Sequence, residues 1–450
     1  MSGPPRPRPD VRGRRHLAWV VPDAGGVALD AAGRLPMQEV GWCFPPDVDD
    51  LAWPGAPAGA VAALACLAHV EVAGEPVYDE RVVLVEPVPG AGVLAYHGVW
   101  RGVAEHAPVG LPEPLAAALA AWLDEATGRA TPDPGWPAFA WPGGVAALAG
   151  ALAADGAGVL SHGAPGAFTQ RRSWSLATVW ASETAFLKVP PAPWAAEGAI
   201  TAALAGAAPD RVPEVLGHGI AHHGPRVLPW MVQRRLEGEH RDGPEAAVAV
   251  AAAMGELVLR SAPHVDAWRA LGLHDRSPSA VAAELPTLWG CAELERLEPE
   301  ERAGLAALDA RLRARLADLR ARGAPTVLAH GDLHAGNALF AADGRAWIID
   351  WTDAAASWPG ADLLTIVGLD ADLDGAAMRA VAAAYRDAAG PALAGWDADA
   401  LAVGTAAGLA FHALAYARIA AAAPVAQRWQ LEGAVRYRVR RSLRLEGLAD

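Results

Sequence analysis

Three oxygen-bearing side chains in the stretch TVLAHGDLHAGNALFAADGRAWIIDW, residues 326–351, stand at spacings that chemistry can use. Asp332 and Asn337 lie five residues apart, in a loop too rich in Gly and His to be helical. Asp350 ends the apolar run AWIID, which pairs with ALF across the Asp343-Gly344 turn signal. That hairpin returns Asp350 to the neighbourhood of Asn337. A loop carboxylate, an amide oxygen and a strand-end carboxylate that converge on one pocket can hold Mg²⁺. This ion takes few protein oxygens and shares the rest of its shell with phosphates and water.

Lys188, in TAFLKV, is the only lysine among 37 basic residues, and Asn337 is the only asparagine. The skew toward Ala, Gly, Pro and Arg is that of GC-rich coding, under which Arg replaces Lys wherever a surface needs only positive charge. A lysine retained against that drift belongs where a compact, rotatable ammonium meets phosphate oxygens as a point charge. A neutral amide ligates Mg²⁺ without adding negative charge beside a triphosphate, which suits the retained asparagine.

HGDLHAGN followed by WIIDW resembles the signature of the aminoglycoside phosphotransferase-like family, the small-molecule branch of the protein-kinase-like fold, and its spacing is similar to the H-x-D-x-x-x-x-N loop of protein kinases. The resemblance covers about residues 155–450. It implies ATP and Mg²⁺ as cofactors and a small-molecule hydroxyl as acceptor. It implies Asp332 as the catalytic carboxylate, Asn337 and Asp350 as Mg²⁺ ligands, and His330 and Asp362 as structural supports of the loop. Lys188 would reach the α- and β-phosphates, held by an acid on the following helix. Glu197 suits that role better than Glu183, which precedes the lysine in a turn. Gly163 and Gly166, in SHGAPGAFTQ, are the candidates for a phosphate-covering loop between the first two strands, although G-x-G-x-x-G is missing. Adenine would meet backbone in MVQRRLEGE, and the acceptor would bind over helices near 240–320 and 395–430. A catalytically weak, kinase-like nucleotide-binding or regulatory module is the competing reading. Its mark would be the loss of Asp332, Asn337 or Asp350, all of which are present.

The elements that must position these residues divide the chain as follows: a disordered Pro/Arg-rich tail (1–15), an accessory α+β domain of unassigned role (16–130), a linker and helix start (131–150), a mainly β N-lobe (151–235) and a helical C-lobe (236–450). The fold class is α+β, a two-lobed kinase-like fold preceded by an extra small α+β domain. GVLSHGAPGAF, QRRSWSLATVWA and TAFLKV read as the first three strands of the N-lobe. The accessory region carries no nucleotide-hydrolase box, nucleophile elbow or metal cluster.

A net charge of −14 argues against nucleic acid or an anionic membrane as partner, and the arginines of VRYRVRRSLRLEG read as a solvated helix face. Cys43, Cys66 and Cys291 match no metal spacing and read as buried thiols of a reducing compartment. His222-His223 reads as part of a turn, Asp353 as a support for the site or a helix cap, and the 18 tryptophans as packing. The N-terminus has no apolar signal core, and ALAVGTAAGLAFHALAYARIAAAA, interrupted by Arg418, reads as a buried helix. The expected location is cytoplasmic, with the oligomeric state left open.

Overall fold

Valine-rich runs in the first hundred positions form strands, as β-branched side chains favour: β1 (Val11–Val21), β2 (Gly26–Leu29), β3 (Met37–Gly41), β4 (Val61–Val72), β5 (Val77–Pro87) and β6 (Val99–Arg101). The computed structural model describes residues 11–21, 26–29, 32–41, 48, 51, 59–72, 77–91, 99–101, 108–368 and 375–448. The sheet runs β4-β5-β1-β2-β6, with β3 also paired to β1. β1 is parallel to β5 and antiparallel to β2 and β3. Residues 11–15, expected in the tail, are strand instead. Their charges find cross-strand partners: Arg14 meets Glu39 and Glu80, each at 3.1 Å. The rest of the expected tail, and Cys43, lie outside the described residues. Cys66 is buried and Cys291 only half-buried, its thiol pushed up chiefly by burial.

Helices α1 (Glu113–Ala126) and α2 (Gly144–Ala154) follow. The stretch expected to be a linker between them buries Trp136, Ala138 and Phe139. The next sheet comprises β7 (Thr169–Trp174), β8 (Ala177–Ala181), β9 (Ala185–Val189), β10 (Val215–His223) and β11 (Arg226–Arg234), antiparallel in the order β10-β11-β9-β8-β7, with α3 (Glu197–Ala207) between β9 and β10. Two strand expectations change here. GVLSHGAPGAF is a loop, since Gly163 and Gly166 take φ of 72° and 69° and Pro165 has no N–H to give a ladder. QRRSWSLATVWA is two strands, β7 and β8, turning at Ser175-Leu176.

The C-terminal half is mainly helical: α4 (Pro244–Ser261), α5 (Val265–Trp268), α6 (Pro278–Trp289), α7 (Pro299–Ala321), α8 (Leu363–Val367), α9 (Ala376–Ala389), α10 (Ala398–Ala422) and α11 (Ala434–Leu445). Short strands interrupt it: β12 (His274–Asp275), β13 (Val327–Ala329), β14 (Ala338–Phe340), β15 (Ala346–Ile348) and β16 (Ala355–Ser357). β14 and β15 are the hairpin expected at Asp343-Gly344, and β16 lies between β12 and β13. Among the described residues one unbroken helix, α10, is long and apolar enough to cross a membrane, but 89% of its apolar window is buried inside the protein.

One large core fills the helical lobe, with Leu257, Leu312, Trp351 and Phe411 among its buried members, and takes in Ile200 and Leu204 of α3. The other large core is shared: Leu64 and Leu84 of the first sheet, Leu119 of α1 and Leu148 of α2 pack in one cluster with Trp180, Leu187 and Trp230 of the second sheet. The N-terminal region and the N-lobe therefore bury their apolar faces against a common interior.

Candidate active site

Burial alternates along β9, so Leu187 enters the shared core while Lys188 leaves on the opposite face. There the ammonium donates to Glu197 Oε1 at 2.7 Å, to Asp350 Oδ1 at 2.5 Å and to Thr352 Oγ1. Glu197 opens α3 and is buried; its side chain is 1% exposed against 14% for Lys188. Burial favours a neutral lysine, but the two carboxylates outweigh it and hold the ammonium protonated above its ordinary value. Asp350 follows β15 and is half-exposed; it is the single non-glycine residue with positive φ, 66°, among the described residues. The surrounding protein pushes its carboxyl up, and Lys188 more than reverses that, leaving it well below the usual carboxylate range.

The loop after β13 is held by its own backbone. Asp362 accepts the N–H groups of His330 at 2.7 Å and Gly331 at 2.9 Å, while the His330 ring contacts Ile349 O at 2.9 Å and packs on Trp351. Gly331 has φ of 90°, and a Cβ there would strike the backbone of Asp353, so glycine is required. Asp332 follows. Its Oδ1 is buried without a hydrogen-bond partner, and its Oδ2 lies 3.7 Å from His334 Nε2. The Asn337 side chain donates to Asp332 O at 2.8 Å, which leaves its amide oxygen to accept. Asp353 is buried nearby, its carboxyl pushed up to about 6 first by burial and then by Asp332 and Asp350, against the pull of Arg276.

Lys188 thus joins Glu197, nine residues on, to Asp350, 162 residues away, and His330, Asp332 and Asn337 form a bonded loop that Asp362 supports. Glu183 stands apart in the turn before β9. Gly163 and Gly166 do not lie between the first two strands of their sheet: their loop precedes β7 and is tied to the turn after β5 through a 2.7 Å bond from His162 N to Pro89 O. The turn between those strands is Ser175-Leu176, and Ser175 N donates to Gln430 Oε1 at 2.9 Å. His222 and His223 are in β10 rather than a turn, and His223 bonds Pro142 O. Thr352 was not anticipated; its only signal was a hydroxyl two positions after Asp350. Among the described residues no group of three or more His, Cys, Asp and Glu could hold a metal. The amide oxygen of Asn337 and the carboxylate of Asp350 are hard oxygen donors, the kind that suits Mg²⁺ sharing its shell with phosphate.

The profile of the phosphotransferase enzyme family matches residues 168–401, from the residue before β7 into α10. That is just over half of the chain, and the protein belongs to this family. Solved structures similar to it include the GDP and kanamycin complex of APH(2")-IIia, at 16% identity and a TM-score of 0.43, covering 63% of this chain and 93% of that one. Another is aminoglycoside phosphotransferase APH(3'')-Id from Streptomyces rimosus, at 20% identity and 0.40, covering 60% and 98%. A third is choline kinase LicA from Streptococcus pneumoniae, at 13% and 0.41, covering 61% and 89%. No curated protein matches the chain.

Proposed function

We propose that the protein transfers the γ-phosphoryl group of ATP to a hydroxyl of a small molecule. The observation that carries this reading is the meeting of Lys188, Glu197 and Asp350 beside the Asp332–Asn337 loop in a member of a phosphotransferase family. Phosphoryl transfer asks little covalent work of a protein; it needs alignment and charge neutralisation. Lys188 supplies a fixed positive charge for the α- and β-phosphates, and Glu197 holds it in place. Asp332, with an unpaired buried oxygen, orients the acceptor hydroxyl and takes its proton. Asn337 and Asp350 would hold Mg²⁺, which when bound neutralises phosphate oxygens. His330 and Asp362 brace the loop. Adenine sits against the link after β11, where Glu239 bridges to Phe340 of β14, and the acceptor lies over α4, α6, α7 and α10.

The test is incubation with Mg·ATP and a panel of hydroxylated metabolites and antibiotics, read by mass gain of one phosphate. Asp332→Ala should lower the rate by about 10²–10⁴ through lost proton handling and alignment. Wild type that binds Mg·ATP yet phosphorylates nothing, with basal ATP turnover indifferent to Asp332→Ala, would leave a binding module instead.

A further inference from the structure

A lysine ammonium has three N–H donors and no acceptor. At Lys188 all three are taken by protein: two by the carboxylates of Glu197 and Asp350, the third by the hydroxyl of Thr352. Thr352 in turn donates its O–H to Asp350 Oδ1 at 2.7 Å, the same oxygen that Lys188 contacts. The hydroxyl thus closes a ring of Lys188, Thr352 and Asp350, the last of which has a left-handed backbone. A phosphate oxygen can approach this ammonium only by replacing one of its three partners. The two carboxylates are charge-assisted partners and the hydroxyl is neutral, so the hydroxyl is the contact that yields.

We propose that Thr352 is a positioning residue that keeps the third donor of Lys188 occupied until a nucleotide phosphate takes it over. The proposal rests on the phosphotransferase reading above and adds an exchange step to it. Thr352 keeps the partly buried ammonium from being left with an unpaired donor, and the contact it supplies must be broken for nucleotide to bind. A hydroxyl that only supported the site would have the opposite signature, because its loss would weaken binding.

The chain offers a direct probe. Lys188 is its only lysine, so protein labelled with ¹⁵N-lysine has a single side-chain ammonium resonance. Calorimetric titration of the full chain with ATP, in EDTA to keep metal from engaging Asp350, compares wild type, Thr352→Val, Thr352→Ala and Thr352→Ser. Thr352→Val and Thr352→Ala are expected to bind ATP about three- to tenfold more tightly than wild type, because one contact no longer has to be given up. Both should melt at lower temperature without nucleotide and show a shifted ammonium resonance, while Thr352→Ser behaves as wild type. Unchanged or weaker ATP affinity in Thr352→Val and Thr352→Ala overturns the exchange while leaving the phosphotransferase reading intact. Wild type that binds no nucleotide, with or without Mg²⁺, takes both down.

Discussion

Arginine and lysine carry the same charge, and this chain uses arginine at 36 of its 37 basic positions. At 188 the side chain meets the buried Glu197, the half-exposed Asp350 and Thr352 through three bonds that converge on one nitrogen, a geometry that a planar five-donor fork does not reproduce. Lys188→Arg is therefore expected to fold and to lower kcat/KM for ATP by about 10²-fold or more, since ångström-scale misplacement at the phosphates costs that much. Turnover within threefold of wild type would deny this lysine its special status. Asp362 makes a second residue-scale argument. Both its oxygens are used, one on His330 N and one on Gly331 N, at a site 5% exposed. An asparagine keeps one acceptor and turns an amide donor toward the other N–H. Asp362→Asn should cost about 1–3 kcal/mol in urea denaturation, the cost of an unsatisfied buried donor. A midpoint equal to wild type would show that the loop is held elsewhere.

Among the elements, legibility followed the kind of signal each carried. The β14–β15 hairpin was readable because Asp-Gly between apolar triplets encodes its own turn, and Lys188 because composition made it conspicuous. The β7–β8 turn was not, because Ser-Leu is no strong turn pair and tertiary contacts set it: Ser175 is fixed by Gln430, some 255 residues away. Gly163 and Gly166 misled for the reverse reason, their strong local turn chemistry serving a loop that leads into β7 and bonds the turn after β5. Thr352 escaped because an isolated hydroxyl has no spacing rule; its role exists only once β9, α3 and β15 meet. The start of α2 offers an element-scale prediction. Glu86, 5% exposed at the end of β5, accepts Gly143 N at 2.6 Å just before that helix. Burial pushes its carboxyl up to about 7 from an ordinary 4.5, against the backbone N–H groups of Gly143 and Val145. A folded pKa above the unfolded one gives a contribution that is whole below pH 4.5 and is lost as pH rises through about 7. Glu86→Gln keeps an oxygen for Gly143 N without the charge, so its melting temperature relative to wild type should rise between pH 5 and pH 8. Parallel curves for the two proteins would rule out a buried, titrating Glu86.

At the scale of the whole molecule, the sequence suggested an accessory domain followed by two lobes, whereas the apolar interior joins the first region to the N-lobe. Gln170 of β7 both accepts from Ala63 N at 2.7 Å and donates to Ala63 O at 2.8 Å, so a buried side chain stitches β4 to the second sheet. The segment before α11 adds a link from the other side: Trp429 Nε1 donates to Leu67 O, and Gln430 bonds both Cys66 O and Ser175 N. Composition could not reveal this, because alternating valine and alanine strands report that a face is buried without naming what buries it. The consequence is mechanical coupling between a region with no chemical motif and the strand that carries Lys188. Leu84 of β5 is fully buried in the shared cluster, and Leu84→Ala should cost about 2–5 kcal/mol. If the first region were an independent unit, that loss would appear as an early calorimetric transition with ATP binding untouched below it. A shared core predicts instead that the transition including β9 moves down together with the first sheet, and that ATP affinity disappears over the same temperature interval. Separate melting of the two would return the N-terminal region to the status of an appended domain.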